Sequence, residues 1–235
     1  MLTTYETLTR ALIQAPSSPT PLISTAVLDS YINIARNQVA ADAECIRLPG
    51  TLMLVVGNPG YTFELINVVS GFGFGPILTV RSAKLGTQPI DIRGWEWYAQ
   101  YYFNDSAVGT PVRAAQQGQG SSGTLFFNPI PNVAGTVSLD VVCLPDGLVD
   151  DTTPESIPLL WTDAVPFYAA WLALLSLQRP LDAEQMMQRY DRLVRRGRQT
   201  ATPSELPDNL PGGIGTQAAS AHQTLGSPPP AAVGR

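Results

Sequence analysis

Charge is scarce in this chain of 235 residues. Only 14% of side chains are Asp, Glu, Lys or Arg, against about 25% in an ordinary soluble domain. Two cysteines, Cys45 and Cys143, are too few for a disulfide framework or a zinc site. They read as small buried hydrophobes in a reducing, cytoplasmic compartment. Histidine is present once, as His222, inside a Pro/Gly-rich segment. A general base has to be fixed beside its nucleophile, so Ser-His and Cys-His catalysis are not expected. No run of about 18 apolar residues is read, so no membrane-spanning helix is expected. The N-terminal MLTTYETLTR lacks the basic-then-apolar pattern of a signal peptide. A formal net charge of −5 argues against a general nucleic-acid binder.

What is abundant is apolar and conformationally special. Hydrophobic residues make up 44% of the chain, with 20 Gly and 21 Pro. This is enough for a core, with many turns, and it disfavours a plain helix bundle. So few charges leave much neutral surface for water or for partner proteins to cover.

Periodicity places helices at both ends and strands between them. A first helix is predicted over 3–15, opened by a Thr3/Glu6 capping box and closed by Pro16, Pro19 and Pro21. A second runs from Ser24 or Thr25 to Arg47, with Leu28, Ile32, Ala35, Val39 and Ile46 on its apolar stripe and Arg36 and Glu44 off it. Pro49-Gly50 is expected to end it. Strands are read at 51–56, 61–69, 77–81, 111–116, 124–128 and 136–143. The aromatic-rich DIRGWEWYAQYYF, 91–103, suits a helix or a strand, and a short helix is preferred. Val165 to Leu177 is apolar all round, and reads as a helix buried on every side, capped by Asp163 with Pro166 in its first turn. The helix over 180–196 turns Ala183, Met186, Met187, Tyr190, Leu193 and Val194 inward, and Gly197 reads as its stop.

The fold class is therefore α+β. N-terminal helices (1–48) and C-terminal helices (155–198) are expected to form one helical domain, with a β-rich domain (49–154) inserted. Residues 199–235 hold six Pro, five Gly and three charges, a composition that cannot bury a core of its own. Leu206, Leu210, Ile214 and Leu225 are its sparse apolar anchors.

Few chemical constellations emerge. GFGFG (71–75) lacks the third glycine of a dinucleotide fingerprint and the Lys-Ser/Thr of a phosphate loop. It reads as a strand or turn with close backbone approach. The loop carrying Asp146, Asp150, Asp151 and Glu155 does not have the alternating ligands of an EF-hand. Trp95, Trp97 and Tyr101, with Asp91 and Glu96, could stack on and bind sugars, so a carbohydrate-binding or hydrolytic β module stays open beside a structural role. No cofactor and no metal is expected. Charge distribution says more. No Lys or Arg stands between Arg113 and Arg179, and the last predicted helix then carries Arg189, Arg192, Arg195, Arg196 and Arg198. Thirteen of the 14 basic residues are Arg, the better side chain for bidentate contacts at interfaces. An acidic surface around Asp146, Asp150, Asp151 and Glu155 on one subunit, facing the arginine helix end of the next, would make a head-to-tail contact able to close into a ring. The alternative is that these groups pair within one subunit or stay solvated.

The order of these pieces resembles the head–tail connector, or adaptor, proteins of tailed bacteriophages. The resemblance is carried by YINIARNQVAADAECIR (31–47), GWEWYAQYYF (94–103), GTPVR (109–113), LFFNPIPNVAGTVSLDVVCLPDGLVDD (125–151), IPLLWTDAVPFYAAWLALL (157–175) and DAEQMMQRYDRLVRRGR (182–198). It covers about 1–198. It implies a non-enzymatic virion protein of the neck, made in the host cytoplasm. Its copies would form a ring, commonly of twelve subunits, beneath the portal, with viral DNA passing through the lumen without sequence-specific binding. It further implies contacts with the portal protein and with a downstream tail or neck protein, the C-terminal tail clasping the portal. Another neck or tail-completion part is the nearby alternative.

Overall fold

The computed structural model describes residues 1–14, 22–103 and 105–201. Met1–Gly197 is one compact unit, and a second begins at Arg198. The proposed tail anchors Leu206, Leu210, Ile214 and Leu225, with His222, lie outside the described residues.

The fold is α+β, with helices beside a large mixed sheet. Helix α1 spans Leu2–Ile13 and α2 spans Thr25–Ala43. Ser24 caps α2 by accepting from the Val27 amide, as the sequence suggests. The expected Thr3/Glu6 box does not form. Helix α1 starts earlier, and the Thr3 hydroxyl donates to Asp151 instead. Helix α2 ends at Glu44 in the left-handed region (φ 50°), so Pro49-Gly50 is not its terminator.

The chain instead enters strand β1, Arg47–Leu54, directly. Leu48, Gly50, Leu52 and Leu54 face the core from alternate positions, the period of two that a half-buried strand requires. Pro49 is tolerated on the outward phase. The segment expected as one strand over 61–69 is broken into β2 (Gly60–Thr62), a single 3-10 turn (Phe63–Leu65) and β3 (Asn67–Val68). The ladder continues through β4 (Phe74–Leu85), β5 (Gln88–Arg93), helix α3 (Trp95–Tyr101), β6 (Val108–Gly109), β7 (Arg113–Gln117), β8 (Thr124–Asn128), β9 (Ile130–Pro131) and β10 (Gly135–Pro145).

Eight strands form one sheet in the order β2-β8-β7-β5-β4-β10-β1-β3, and β6 and β9 form a separate parallel pair. Strand β10 is an interior strand with a long partner on each side. It pairs antiparallel with β1 over Arg47↔Val142 to Leu54↔Gly135, and with β4 on its other side. Gly75 lies beside the Pro145 carbonyl, where an added Cβ would come within 3.0 Å. The GFGFG segment thus serves close backbone approach.

Three helices follow: α4 (Leu159–Thr162), α5 (Val165–Ser176) and α6 (Pro180–Ala201). Helices α1 and α2 pack on α5, and α2 packs on β10. One continuous apolar cluster runs from Leu2 and Tyr5 through Leu28 and Val39, into Val137 and Val141, and on to Ala169 and Leu174. The helices and the sheet therefore share a core within one unit instead of forming a helical domain with a separate inserted one.

Three further expectations change. Ala164, not Asp163, is the N-cap of α5, and it makes no side-chain cap bond. Helix α5 is not buried on all sides. Ala169, Ala170, Ala173 and Leu174 are buried, while Phe167, Tyr168, Trp171 and Leu172 are half-buried and Leu175 is exposed. By length and composition Leu159–Ser176 is apolar enough to cross a membrane, although half of it is buried inside this unit and Asp163-Ala164 interrupts the helix. Finally, α6 runs through Gly197, which is buried against the Trp161 ring. The glycine permits close packing there and does not stop the helix.

Candidate functional site

Helix α6 has two unlike faces. Ala183, Met186, Tyr190 and Val194 are buried at helical spacing, as the sequence pattern implies. The Tyr190 hydroxyl donates to Asp42 on α2 at 2.5 Å, and its ring packs edge-on against Tyr168 of α5 with centroids 5.0 Å apart. These contacts fix the rotation of the helix. Arg189, Arg192, Arg195, Arg196 and Arg198 consequently fall on its exposed side. Arg192 donates back to the Gln188 carbonyl. Arg189 and Arg195 have no acidic partner among the described residues.

The acidic residues expected to face that helix from a neighbour are largely committed within the chain. Glu155 is the clearest correction. Its side chain is 10% exposed, and it clasps Arg36, itself 1% exposed, with Nη2–Oε1 at 2.7 Å. The Arg36 Nε donates to both carboxylate oxygens at 3.1–3.2 Å, and its Nη1 donates to the Asp146 carbonyl at 2.7 Å and to Asn33 Oδ1 at 3.1 Å. Asp151 binds the amino group of Met1 at 2.7 Å, accepts from the Thr3 amide, and its carboxyl is held far below the ordinary range by these donors. Asp150 accepts from the amides and hydroxyls of Thr152 and Thr153, which lowers its pKa as well. Asp146 is exposed and accepts from the Gly147 amide. The loop is an internal brace, and only the outer edges of Asp146, Asp150 and Asp151 remain open to a partner.

Arg36 was not expected in the core. Its position was legible all the same: Ile32, Ala35, Arg36, Val39 and Ala40 share one buried face of α2. An arginine inside an apolar stripe signals a buried carboxylate elsewhere in the chain.

The aromatic group of α3 divides in two. Trp95 stacks on Tyr98 (5.9 Å between centroids) and meets Phe103 and Phe126 at 5.6 and 5.0 Å. The Tyr98 hydroxyl donates to the Phe127 carbonyl at 3.1 Å. Trp95 is thus a packing residue. Trp97 and Tyr101 lie on the outer side, exposed. Arg93 sits over the Trp97 ring at 5.5 Å and pairs with Asp91 at 2.6 Å. Glu96 is exposed.

Beside this rim an open groove of about 680 Å³ separates β4 from β7. Sequence reasoning missed it because it depends on strand register, and Gln116, which bridges its walls, has no sequence signature. The Gln116 amide oxygen accepts from the Val80 amide (3.0 Å) and the Thr79 hydroxyl (3.0 Å), while its nitrogen donates to the carbonyls of Leu78 and Gly118 (2.9 Å each).

Cys45 and Cys143 are partly and fully buried, and burial pushes their thiols up to about 12 and about 11. No group of three or more His, Cys, Asp and Glu able to hold a metal occurs among the described residues.

No protein-family model and no curated protein matches the chain.

Proposed function

We propose that this chain is a structural subunit of a tailed-phage neck, a connector whose copies encircle a common axis beneath the portal and let DNA pass. The observation that carries the reading is α6: a helix locked by its inner face to α2, α4 and α5, and presenting a row of arginines outward. A fixed row of guanidinium forks suits a repeated protein–protein contact. It supports a heterologous interface, which closes into a ring when the rotation per copy allows. The half-exposed face of α5 and the exposed Leu159, Leu160 and Leu181 around it supply apolar area for the same contact.

Because Glu155 and Asp151 are engaged internally, the acceptor for the arginine row is assigned to Asp146, Asp150 and carboxylates of the portal or the neighbouring copy. The test is electron microscopy and native mass spectrometry of the purified full chain, alone and mixed with the portal of its own phage. Rings on the portal axis are expected, and Arg189, Arg192 and Arg195 changed together to Glu should abolish them while the monomer keeps its melting temperature. A wild-type chain that stays monomeric beside its portal overturns the reading.

A further inference from the structure

Contacts at both ends fix how α1 lies on α2. At the C-terminal end of α1, Arg10 donates to the Ile23 carbonyl (3.3 Å) and to the Thr25 hydroxyl (3.2 Å) at the start of α2. At the other end, Met1 and Thr3 bind Asp151. Three residues back along that loop, Leu148 exchanges hydrogen bonds of 2.8 and 3.1 Å with the Asn33 side chain of α2. The two helices are therefore antiparallel. One turn back from Arg10 is Glu6, and one turn on from Thr25 is Asp29, so their carboxyls face each other across the seam. Both residues are half-buried.

Two ionised carboxylates offer only acceptors to each other. Asp29 Oδ1 is buried and receives no hydrogen bond from any described residue. The donors around it are committed elsewhere. Arg10 serves Ile23 and Thr25, the Met1 amine and Thr3 serve Asp151, and the Asn33 amide serves the backbone carbonyls of Asp29 and Leu148. Arg36 on α2 is held by Glu155. Helix α5, which also packs on α1, carries no Asp, Glu, Lys or Arg, and its Tyr168 is turned to Tyr190 and Trp171. A proton on Glu6 is the donor that the Asp29 oxygen lacks. Burial, the hydrogen bond to Asp29 and the Asp29 charge push the Glu6 carboxyl above its ordinary range; Arg10 opposes this and Asp151 adds to it. Two carboxyls that share a site in this way titrate as a pair.

From this seam we infer that Glu6 and Asp29 hold one proton between them, and that this proton is a latch which fastens α1 to α2 at low pH and lets α1 open as pH rises. An unfolded glutamate releases its proton near pH 4.3, about the ordinary value, whereas folded Glu6 keeps it to higher pH. The folded chain then binds more protons than the unfolded one. The stabilisation is full below the unfolded value and is lost as pH rises through the folded one, opposite in sign to the effect of a depressed carboxyl such as Asp151. Opening of α1 would free Asp151 from Met1 and Thr3 and uncover the side of α5 on which α1 packs. The inference goes beyond the neck reading and does not depend on it, because the latch belongs to the isolated chain.

The experiment is urea unfolding of the full chain at about pH 4.5 and about pH 8, with Glu6→Gln and, as a control for net charge, the exposed Glu64→Gln. Glutamine donates to Asp29 at every pH. The unfolding constant of Glu6→Gln is expected to lie at least about tenfold below wild type at pH 8 and within about twofold of it at pH 4.5. Glu64→Gln should match wild type within about twofold at both. Native-state hydrogen exchange, corrected for the intrinsic rate, should show α1 losing protection between these pH values in wild type and keeping it in Glu6→Gln. Equal stability of Glu6→Gln and wild type at pH 8, the same gain in Glu64→Gln, or α1 protection independent of pH overturns the proposal. So does calcium that stabilises wild type and not Glu6→Gln at pH 8, since a cation would then fill the place given to the proton.

Discussion

Replacing Arg36 by Met tests the brace that ties α2 to the loop after β10. The guanidinium is 1% exposed and its Glu155 partner 10% exposed, so neither charge has water to fall back on. Methionine keeps the length and most of the apolar stem. It removes the donors that serve Glu155, the Asp146 carbonyl and Asn33. Glu155 is then left as a nearly buried carboxylate, next to the Tyr5 hydroxyl, whose pKa the same burial and the Glu155 charge already push upward. Breaking a buried pair from one side costs about 3–5 kcal/mol. For a unit of this size each kcal/mol lowers the melting temperature by roughly 2–4 °C, so a fall of about 6–20 °C is expected. Glu155→Gln alone should cost less, because the amide oxygen still accepts from the guanidinium while its NH₂ replaces one acceptor. The double variant should be more stable than the sum of the singles implies, with a coupling of about 2 kcal/mol. Urea denaturation followed by circular dichroism measures all four proteins. A loss below about 1 kcal/mol in Arg36→Met, or strict additivity in the cycle, refutes the view that this pair is desolvated and coupled.

Gly197→Ala should lower stability by about 1–3 kcal/mol by forcing a Cβ into the Trp161 ring; an unchanged thermal midpoint would show that α6 can shift away from α4. Cys45 and Cys143, with thiols pushed up to about 12 and about 11 by burial, should react slowly with iodoacetamide at pH 8 and quickly in denaturant, and rapid labelling of the native protein would contradict their burial. Asp151 is depressed in the folded state by the Met1 amino group and Thr3, so its contribution is fully present above its unfolded pKa, about 3.9, and is lost as pH falls below that value. Asp151→Asn should therefore flatten the acid limb of the stability curve below about pH 4, and coincident wild-type and variant curves would refute the assignment.

Amphipathic pattern made the helices legible. Leu28, Ile32 and Val39 on α2, and Ala183, Met186, Tyr190 and Val194 on α6, recur at the spacing that the structure buries. Their ends were less legible, because ends answer to tertiary partners. Thr3 is a good cap residue, yet Asp151, 148 positions away, takes its hydroxyl. Gly197 reads as a stop until the Trp161 ring stands over it. Strands of alternating phase were found, as with β10. The short β7 and β8 were also found, at 111–116 and 124–128, whereas β5 was not, since it carries a proline at Pro89 and its parallel mate β7 lies twenty residues on. The acidic loop reads as open surface when its partners, Arg36 and the Met1 amine, are far away in sequence.

The shared core bears on how an arginine row could serve an assembly. Had the helices formed a separate domain, a partner gripping α6 could have rotated it against the sheet at little cost. Here α2 touches α5 on one side and β10 on another, and Tyr190 and Gly197 pin α6 to α2 and α4. Force applied at the arginine face is therefore carried into β10, an interior strand of the sheet paired on both sides. A packed interior deforms little before it yields, so neighbouring copies would meet at a fixed angle. A fixed angle per copy is the condition for closing a ring rather than growing a filament. Loosening the Tyr190 pin with Tyr190→Phe should thus broaden the distribution of ring sizes seen by electron microscopy. A distribution identical to wild type would separate ring geometry from the packing of α6.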